Sequence, residues 1–254
     1  DRGTALTQGA GESIVEGDVL QNYFYNAGFK YGQLDSIGNA ELILGKNYTQ
    51  YTTRRSMTKE LDFYQTFAEL MLNYAISEQV YIASKFDYTK ATYDNNPRLT
   101  RDELTALLGM KWETASENQL AVLFGYQKLA FDDPYLADNN TFRWQIAATW
   151  SPIDRLKLLI NSARATQQGE NVEASYRIVD TTTLTVRYDN TDYFSTAIST
   201  GFVEEDTIFV DSTLKETYLS TDIRFDYEWS TLLNFYLKYQ FTNQNSDQAI
   251  YEYQ

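Results

Sequence analysis

The sequence predicts an all-β fold, an antiparallel up-and-down β-barrel, and three patterns lead to that prediction. Long segments alternate between apolar and polar side chains with a period of two, which is the period of a strand. The connections between these segments alternate in length. No segment shows a convincing helical period, so we expect a single barrel domain over residues 1–254.

Four strands are marked by clear alternation. In residues 103–113 the even-numbered side chains are Leu, Ala, Leu, Met and Trp, whereas most odd-numbered ones are polar. The same separation marks residues 142–150, 219–229 and 233–242. Such strands exceed the average of about 5–6 residues in soluble proteins, which favours a barrel over a sandwich. Weaker alternation predicts eight more strands, twelve in all, at residues 20–32, 37–47, 61–75, 79–89, 118–131, 154–165, 171–179 and 182–190.

The connections alternate between short turns and long polar segments, and all three prolines fall in connections. Short turns are predicted at residues 33–36, 76–78, 115–117, 151–153, 180–181 and 230–231. Long segments are predicted at residues 48–60, 90–100, 132–141, 166–170 and 191–218, with another opening at Asn243. Outer-membrane barrels sort their short periplasmic turns and longer external loops in this way. We therefore expect a transmembrane barrel in a bacterial outer membrane.

The alternation also predicts more strands than the twelve. If the short turns are periplasmic, the first and last of these strands have their free ends outside the cell, whereas barrel termini are normally periplasmic. We expect a further strand before them and one after them, the latter beginning within residues 249–254. Because such barrels have an even number of strands, the prediction is about 14, with the domain incomplete at its ends.

Composition excludes several functions. The chain has 254 residues, a formal net charge of −14, and neither cysteine nor histidine, which excludes thiolate, imidazole and Cys- or His-based metal chemistry. The acidic charge, and no Lys/Arg run longer than Arg54–Arg55, argue against nucleic acid as a partner. The longest apolar stretch, residues 120–126, is too short for a membrane helix of ~18 residues. We expect neither an enzyme nor a bound metal or cofactor.

In a water-filled barrel the apolar face of each strand meets lipid and the polar face lines the interior. One interpretation of the interior charges is pairing across neighbouring strands, and the other is a permeation path for a hydrated solute. Interior aromatics such as Phe24, Phe63, Phe67, Tyr81 and Tyr236 are either filler or stacking surfaces for sugar rings. The charged residues predicted to line the interior are Lys30, Glu69, Lys85, Lys111, Glu113, Arg143, Arg187, Asp222, Arg224, Asp226, Glu228 and Lys238.

Two acidic features allow other interpretations. Asp226 and Glu228 lie two residues apart on one face, about 7 Å by strand rise, which is a separation found in glycosidases. Arg224 beside them favours a structural role. Loop acids could bind calcium or bridge to lipopolysaccharide, but solvated loop charge is the favoured interpretation. These acids are Asp132, Asp133 and Asp138 in one loop, and Glu204, Glu205, Asp206 and Asp211 in another.

A family resemblance covers about a quarter of the chain, within residues 101–169. Its elements are Gly109–Trp112, Leu123–Gln127 followed by Phe131–Asp132, Trp150–Arg155, and Ser162–Thr166. A Gly-x-x-Trp strand, a Gly-Tyr strand, a Trp-Ser-Pro turn and an Arg-bearing return strand in this order resemble the β-barrel porin-2 family. The resemblance implies an outer-membrane barrel associated with exopolysaccharide or capsule biosynthesis, and it carries no catalytic motif.

The expected function is that of an outer-membrane channel, for exopolysaccharide export or saccharide passage. An alternative is a barrel with a filled lumen that acts as a structural or adhesive surface protein, and a soluble β-sandwich lectin is a more distant one. The expected partners are outer-membrane lipid and lipopolysaccharide, with polysaccharide and an export machinery, and no nucleic acid.

Overall fold

The fold is one antiparallel sheet. It is given by a computed structural model that describes residues 19–32, 37–53, 55–114, 118–136, 138–167 and 174–247. The twelve strands within these residues are β1 (Leu20–Tyr31), β2 (Gly38–Tyr51), β3 (Phe63–Ala75), β4 (Val80–Thr92), β5 (Arg101–Glu113), β6 (Gln119–Phe131), β7 (Asn139–Ile153), β8 (Leu156–Gln167), β9 (Tyr176–Thr191), β10 (Phe194–Ile208), β11 (Thr213–Ser230) and β12 (Leu233–Ser246).

Within the described residues, helix is limited to short turns in the connections. One α-helical turn, α1, covers Arg55–Thr58, and two 3₁₀ turns cover Lys59–Leu61 and Pro97–Leu99. None of the helices in the described part of the chain is long and apolar enough to cross a membrane.

The strands lie in the sheet in the order of the chain, and each pairs with the strands before and after it. The prediction of an all-β, antiparallel, up-and-down fold is confirmed. β1 and β12 are the two edges of the sheet, so the sheet is not closed between them. The closing strand predicted at residues 249–254 lies outside the described residues, as do the turns predicted at 33–36 and 115–117.

Two predicted strands are in fact one. The strands predicted at 171–179 and 182–190 are replaced by the single strand β9, and the turn predicted at 180–181 lies in its middle. The run Thr181–Thr183 is β-branched and favours a strand. Asp180, which suggested the turn, accepts a hydrogen bond from Arg164 Nε at 2.6 Å on the neighbouring strand. A cross-strand partner therefore outweighs the local turn preference of an aspartate.

The longest predicted loop, residues 191–218, is also wrong, because it contains β10 and the start of β11. One strand too many and one too few leave the total at twelve. β10 was missed because several of its side chains are small, so the contrast between its faces is weak. The connection to β11 is only residues 209–212.

The sheet has two ends that differ in their connections. At the short-turn end, connections run from two residues (154–155) to six (32–37). At the long-loop end they run from four (209–212) to eleven (52–62), so the predicted sorting holds except at 209–212. Pro152, predicted in a turn, lies in the last residues of β7 beside a break in the strand register, where a proline is tolerated.

The two faces of the sheet differ in burial and polarity. On β5 the outer-face residue Leu108 is 61% exposed, and the adjacent inner-face residue Leu107 is 3% exposed. Arg143 Nη1 on β7 donates to Thr105 Oγ1 on β5 at 2.9 Å, across the intervening strand. This contact, together with the burial of Leu107, indicates that the sheet curves towards this face. We call the polar, concave side the inner face and the other side the outer face.

Two glycines permit this curvature. Gly109 on β5 and Gly125 on β6 lie on the inner face, opposite Leu123 and Leu107. A Cβ added at Gly109 would overlap the carbonyl group of Val122, and one at Gly125 would overlap that of Ala106. The close approach of these two strands therefore requires a residue without a side chain at both positions.

The largest buried apolar cluster lies at the long-loop end, where strands meet loops. All of its residues are at most 9% exposed. We call it the apolar cap, and it consists of Phe63, Ala91, Tyr93, Leu99, Leu129, Phe131, Leu136 and Tyr176.

Candidate functional site: the polar inner face

All twelve charged residues predicted to line the interior lie on the inner face of the sheet. The strand registers show this, because inner-face residues pair with inner-face residues from β1 to β12. They do not converge on one point. They are Lys30 on β1, Glu69 on β3, Lys85 on β4, Lys111 and Glu113 on β5, Arg143 on β7, Arg187 on β9, Asp222, Arg224, Asp226 and Glu228 on β11, and Lys238 on β12.

Three of the lysines form ion pairs with acids on the neighbouring strand. The pairs are Lys30–Glu41 at 3.1 Å, Lys85–Glu69 at 3.3 Å and Lys238–Asp222 at 3.4 Å. Lys85 also lies 3.5 Å from Asp87 on its own strand. These contacts agree with the interpretation in which interior charges neutralise one another across strands.

Two of the arginines pair along their own strand. Arg187 contacts Asp189 at 3.1 Å, and Arg224 contacts Asp226 at 2.7 Å. The Arg224 guanidinium also lies over the ring of Tyr236, 4.9 Å from its centroid. Asp226 is therefore held by an arginine, which favours the structural interpretation of the Asp226 and Glu228 pair over a glycosidase pair.

Other charges on this face have no ionic partner. Lys111, Glu113 and Glu228 make no ion pair with any residue that the structure describes. Arg143 is satisfied by a hydroxyl, Thr105, rather than by an acid within salt-bridge distance. These groups can donate to or accept from a solute without first breaking an ion pair.

The aromatic side chains predicted for the interior divide into two sets. Phe24 stacks on Phe67 with ring centroids 5.6 Å apart, and Phe63 stacks on Tyr93 at 5.2 Å within the apolar cap. These rings fill space. Tyr81 and Tyr236 lie further towards the short-turn end, and Tyr236 is 70% exposed.

Burial of the inner face increases towards the long-loop end. Arg101, the first residue of β5, is 2% exposed, and it donates to Glu103 at 2.8 Å and to the Tyr93 hydroxyl at 3.1 Å. Burial raises the pKa of the Tyr93 phenol, and the charge of Arg101 partly opposes this. The sequence prediction omitted Arg101. Extending the odd-numbered pattern one step back from Glu103 would have found it.

A second buried ion pair lies at the same end of the same inner face, four strands away from β5. Arg177 on β9 contacts Glu205 on β10 at 2.9 Å. Glu205 was predicted to lie in a solvated external loop, and that prediction is wrong because it points to the inner face of a strand. Glu204 and Asp206 belong to the same strand and lie on its outer face. Among the described residues, no group of three or more acidic side chains is arranged to hold a metal ion.

Two cavities lie at the two ends of the inner face. The cavity at the short-turn end has a volume of about 430 Å³ and is lined by residues that include Arg187, Asp226 and Glu228. The cavity at the long-loop end has a volume of about 590 Å³. Its walls come from Asn96–Leu99 on one side and from Phe209–Ser212 on the other, although six strands separate these connections in the sheet.

The outer face carries a continuous belt without charge. On every strand the outer-face residues are uncharged from the short-turn end up to the last few residues before the long loops. On β5 the belt runs from Leu104 to Trp112, which is about 26 Å along the strand. The charged outer-face residues all lie beyond it, near the long-loop end, and they are Lys46, Lys90, Asp102, Lys128, Arg164, Asp180, Glu204, Asp206 and Lys215.

Comparison with known proteins adds no assignment. No family model matches this chain, and no curated protein is significantly similar to it. The resemblance to the β-barrel porin-2 family therefore stays a prediction from the sequence.

Proposed function

We propose that this chain forms the wall of an outer-membrane β-barrel whose inner face lines a hydrated passage for polar solutes, saccharides in particular. The observation that carries the proposal is the uncharged belt of the outer face. In an aqueous protein a face this exposed would carry charge on most strands. Here every charged outer-face residue lies beyond the belt, near the long-loop end of the sheet.

The dimensions of the belt suit a bilayer. Its length of about 26 Å along a strand corresponds to about 20 Å along the membrane normal at the usual strand tilt, which is of the same order as the apolar band of about 25 Å in outer-membrane barrels. A Lys or Arg at the membrane midplane would cost about 2–4 kcal/mol, which explains why the belt has none. Lipid also requires each backbone N–H and C=O group to be paired, so the barrel of about 14 strands predicted above would supply partners for β1 and β12.

Saccharides are proposed as solutes because of the chemistry of the inner face. Lys111, Glu113 and Glu228 offer free donors and acceptors, and Tyr236 offers an exposed ring near the cavity of about 430 Å³. Uncharged, hydroxyl-rich solutes can use such groups without being repelled by either sign of charge. The resemblance to a family associated with exopolysaccharide supports the same solute class, with outer-membrane lipid, lipopolysaccharide and an export machinery as partners.

The experiment that tests the membrane topology uses the absence of cysteine from the chain. Tyr236→Cys places a thiol on the inner face of β12, and Leu237→Cys places one on the outer face. The two native side chains are almost equally exposed, at 70% and 68%. In lipid vesicles we expect a membrane-impermeant thiol reagent to modify Tyr236→Cys and to leave Leu237→Cys unmodified.

Equal modification of both thiols in vesicles would refute membrane burial of the outer face. The same two variants denatured in urea provide the control, because both thiols should then react. Passage is measured separately, as current across a planar bilayer and its block by a neutral polysaccharide added to one side. If a barrel shown to be open at both ends gave no current and no block by the polysaccharide, saccharide passage would be refuted.

A second candidate function is the barrel with a filled lumen. The observation that favours it is the apolar cap, which occupies the long-loop end of the inner face. A structural or adhesive protein needs no water path, so its cap would never open. Single-channel recording separates the two functions, because only a passage shows openings.

A further inference from the structure

We infer that the apolar cap is a hydrophobic gate that closes the proposed passage at its long-loop end. The inference rests on the proposed function, because a gate requires a passage. It concerns the cap residues and the two loop leucines within it, Leu99 and Leu136.

The cap separates two polar regions. The charged inner face begins at the level of the cap with Arg101, whose neighbours in register are the cap residues Ala91 and Phe131, and it continues below the cap. Above it lies the cavity of about 590 Å³ between the long loops. Leu99 and Leu136 belong to the cap and also line this cavity, so they form its floor.

The cap excludes water from the charges beneath it. Arg101 is almost fully buried although it carries a charge, and its partners are Glu103 and a cap residue, Tyr93. A narrow apolar layer resists ions because water leaves it, which is how hydrophobic constrictions close channels. At the short-turn end the inner face is open instead, and Gln119 on β6 and Arg187 on β9 are exposed. Only one of the two ends is therefore sealed by apolar residues in the described part of the chain.

The cap is built so that part of it can move. Phe63, Ala91, Leu129 and Phe131 belong to strands, whereas Leu99 and Leu136 belong to connections. The connections are held to one another by exposed polar contacts. Arg98 donates to Asp133 at 2.9 Å, and Asn95 Nδ2 donates to the Lys59 carbonyl at 3.1 Å.

These contacts are weak compared with strand pairing. Exposed ion pairs contribute little to stability because water screens them, so the loops can separate while the sheet stays paired. Movement of the loop leucines would leave the polar inner face continuous with the cavity above it.

The test is single-channel recording of the full chain with Leu99→Ser and Leu136→Ser combined. Because each substitution removes a buried apolar side chain that favours the closed state, we expect the fraction of time open to rise about tenfold or more. The control is Val210→Ser, since Val210 lines the same cavity, is exposed and lies outside the cap. It should leave the openings unchanged. If the serine variant does not fold, as judged by heat-modifiable mobility, the milder Leu136→Ala replaces it.

The outcomes separate the gate from the passage. A wild-type protein that is open as often as the cap variants would overturn the gate and leave the passage standing. Silence of every variant, in barrels that pass the thiol-labelling test, would overturn the gate and favour the filled-lumen function. Equal labelling of the two β12 thiols would overturn both.

Discussion

Two ion pairs show how position decides the importance of a charge. Arg101–Glu103 and Arg224–Asp226 have the same arrangement, an arginine two residues before an acid on one strand, with nitrogen–oxygen distances of 2.8 and 2.7 Å. The Arg101 side chain is 2% exposed and the Arg224 side chain 49%. Water screens the second pair and not the first.

We expect Arg101→Met to destabilise the fold by about 3 kcal/mol, because Glu103 would be left as a poorly solvated charge without its partner. The matched change Arg224→Met should cost less than about 1 kcal/mol, since the half-exposed Arg224 side chain forms a pair that water screens. Urea unfolding of the refolded protein, followed by tryptophan fluorescence, measures both. Similar midpoints for the two variants would contradict the difference in burial.

At the scale of the element, β5 and β6 are the strands whose sequence carries the curvature. Gly109 and Gly125 lie where each strand approaches the backbone of the other too closely for a Cβ. A side chain there would push the strands apart and flatten the sheet, which would also move the inner-face residues Leu107 and Leu123 from their contact.

Gly125→Ala is expected to destabilise the protein by about 1–3 kcal/mol, the usual cost of inserting an atom into a close-packed site. Gly28→Ala is the control, because the nearest atoms to its added Cβ would be 3.9 Å away. Loss of heat-modifiable mobility at lower urea for Gly125→Ala alone would agree with this. Equal effects of the two substitutions would mean that backbone entropy, rather than space, sets the cost.

The elements also show what alternation can predict. A strand with contrasting faces, such as β5, is predicted nearly to its bounds, and parity along the strong and the weak strands together places all twelve charged residues on one face. β10 was not predicted, because its side chains contrast little. The apolar cap was not predicted either, since Leu99 and Leu136 lie in connections, where no period exists to indicate which side they face.

At the scale of the whole molecule, the long loops form one assembly over the end of the sheet. Asp133 connects the β6–β7 connection to Arg98 in the β4–β5 connection. The backbone N–H of Tyr135 holds the pKa of Asp133 below its usual value, and Arg98 adds to the effect. A depressed carboxyl pKa means that the contact is present above the ordinary value of about 3.9 and is lost as the pH falls below it.

We therefore expect protease cleavage of the long loops to become faster as the pH falls below about 4. An acid-stable protease such as pepsin, used over a range of pH with an unstructured peptide as reference, measures this. Asp133→Asn should remove the pH dependence of the cleavage rate of the loops relative to that of the reference peptide. Arg98→Gln should preserve part of the lowering of the Asp133 pKa, because the hydrogen bond from the Tyr135 amide is the largest single cause of it. A carboxyl titration of Asp133 at its ordinary pKa would contradict the assignment.

The strand order of the sheet has a consequence for how the chain folds. Each of the twelve described strands pairs with the next one along the sequence, so no pairing among them has to wait for a distant segment to arrive. Low sequence separation between contacts lowers the entropy lost before each pairing forms, and it raises folding rates. The sheet can grow one hairpin at a time from any point in the chain. The curvature at β5 and β6 can then be established early, before the edge strands β1 and β12 have formed.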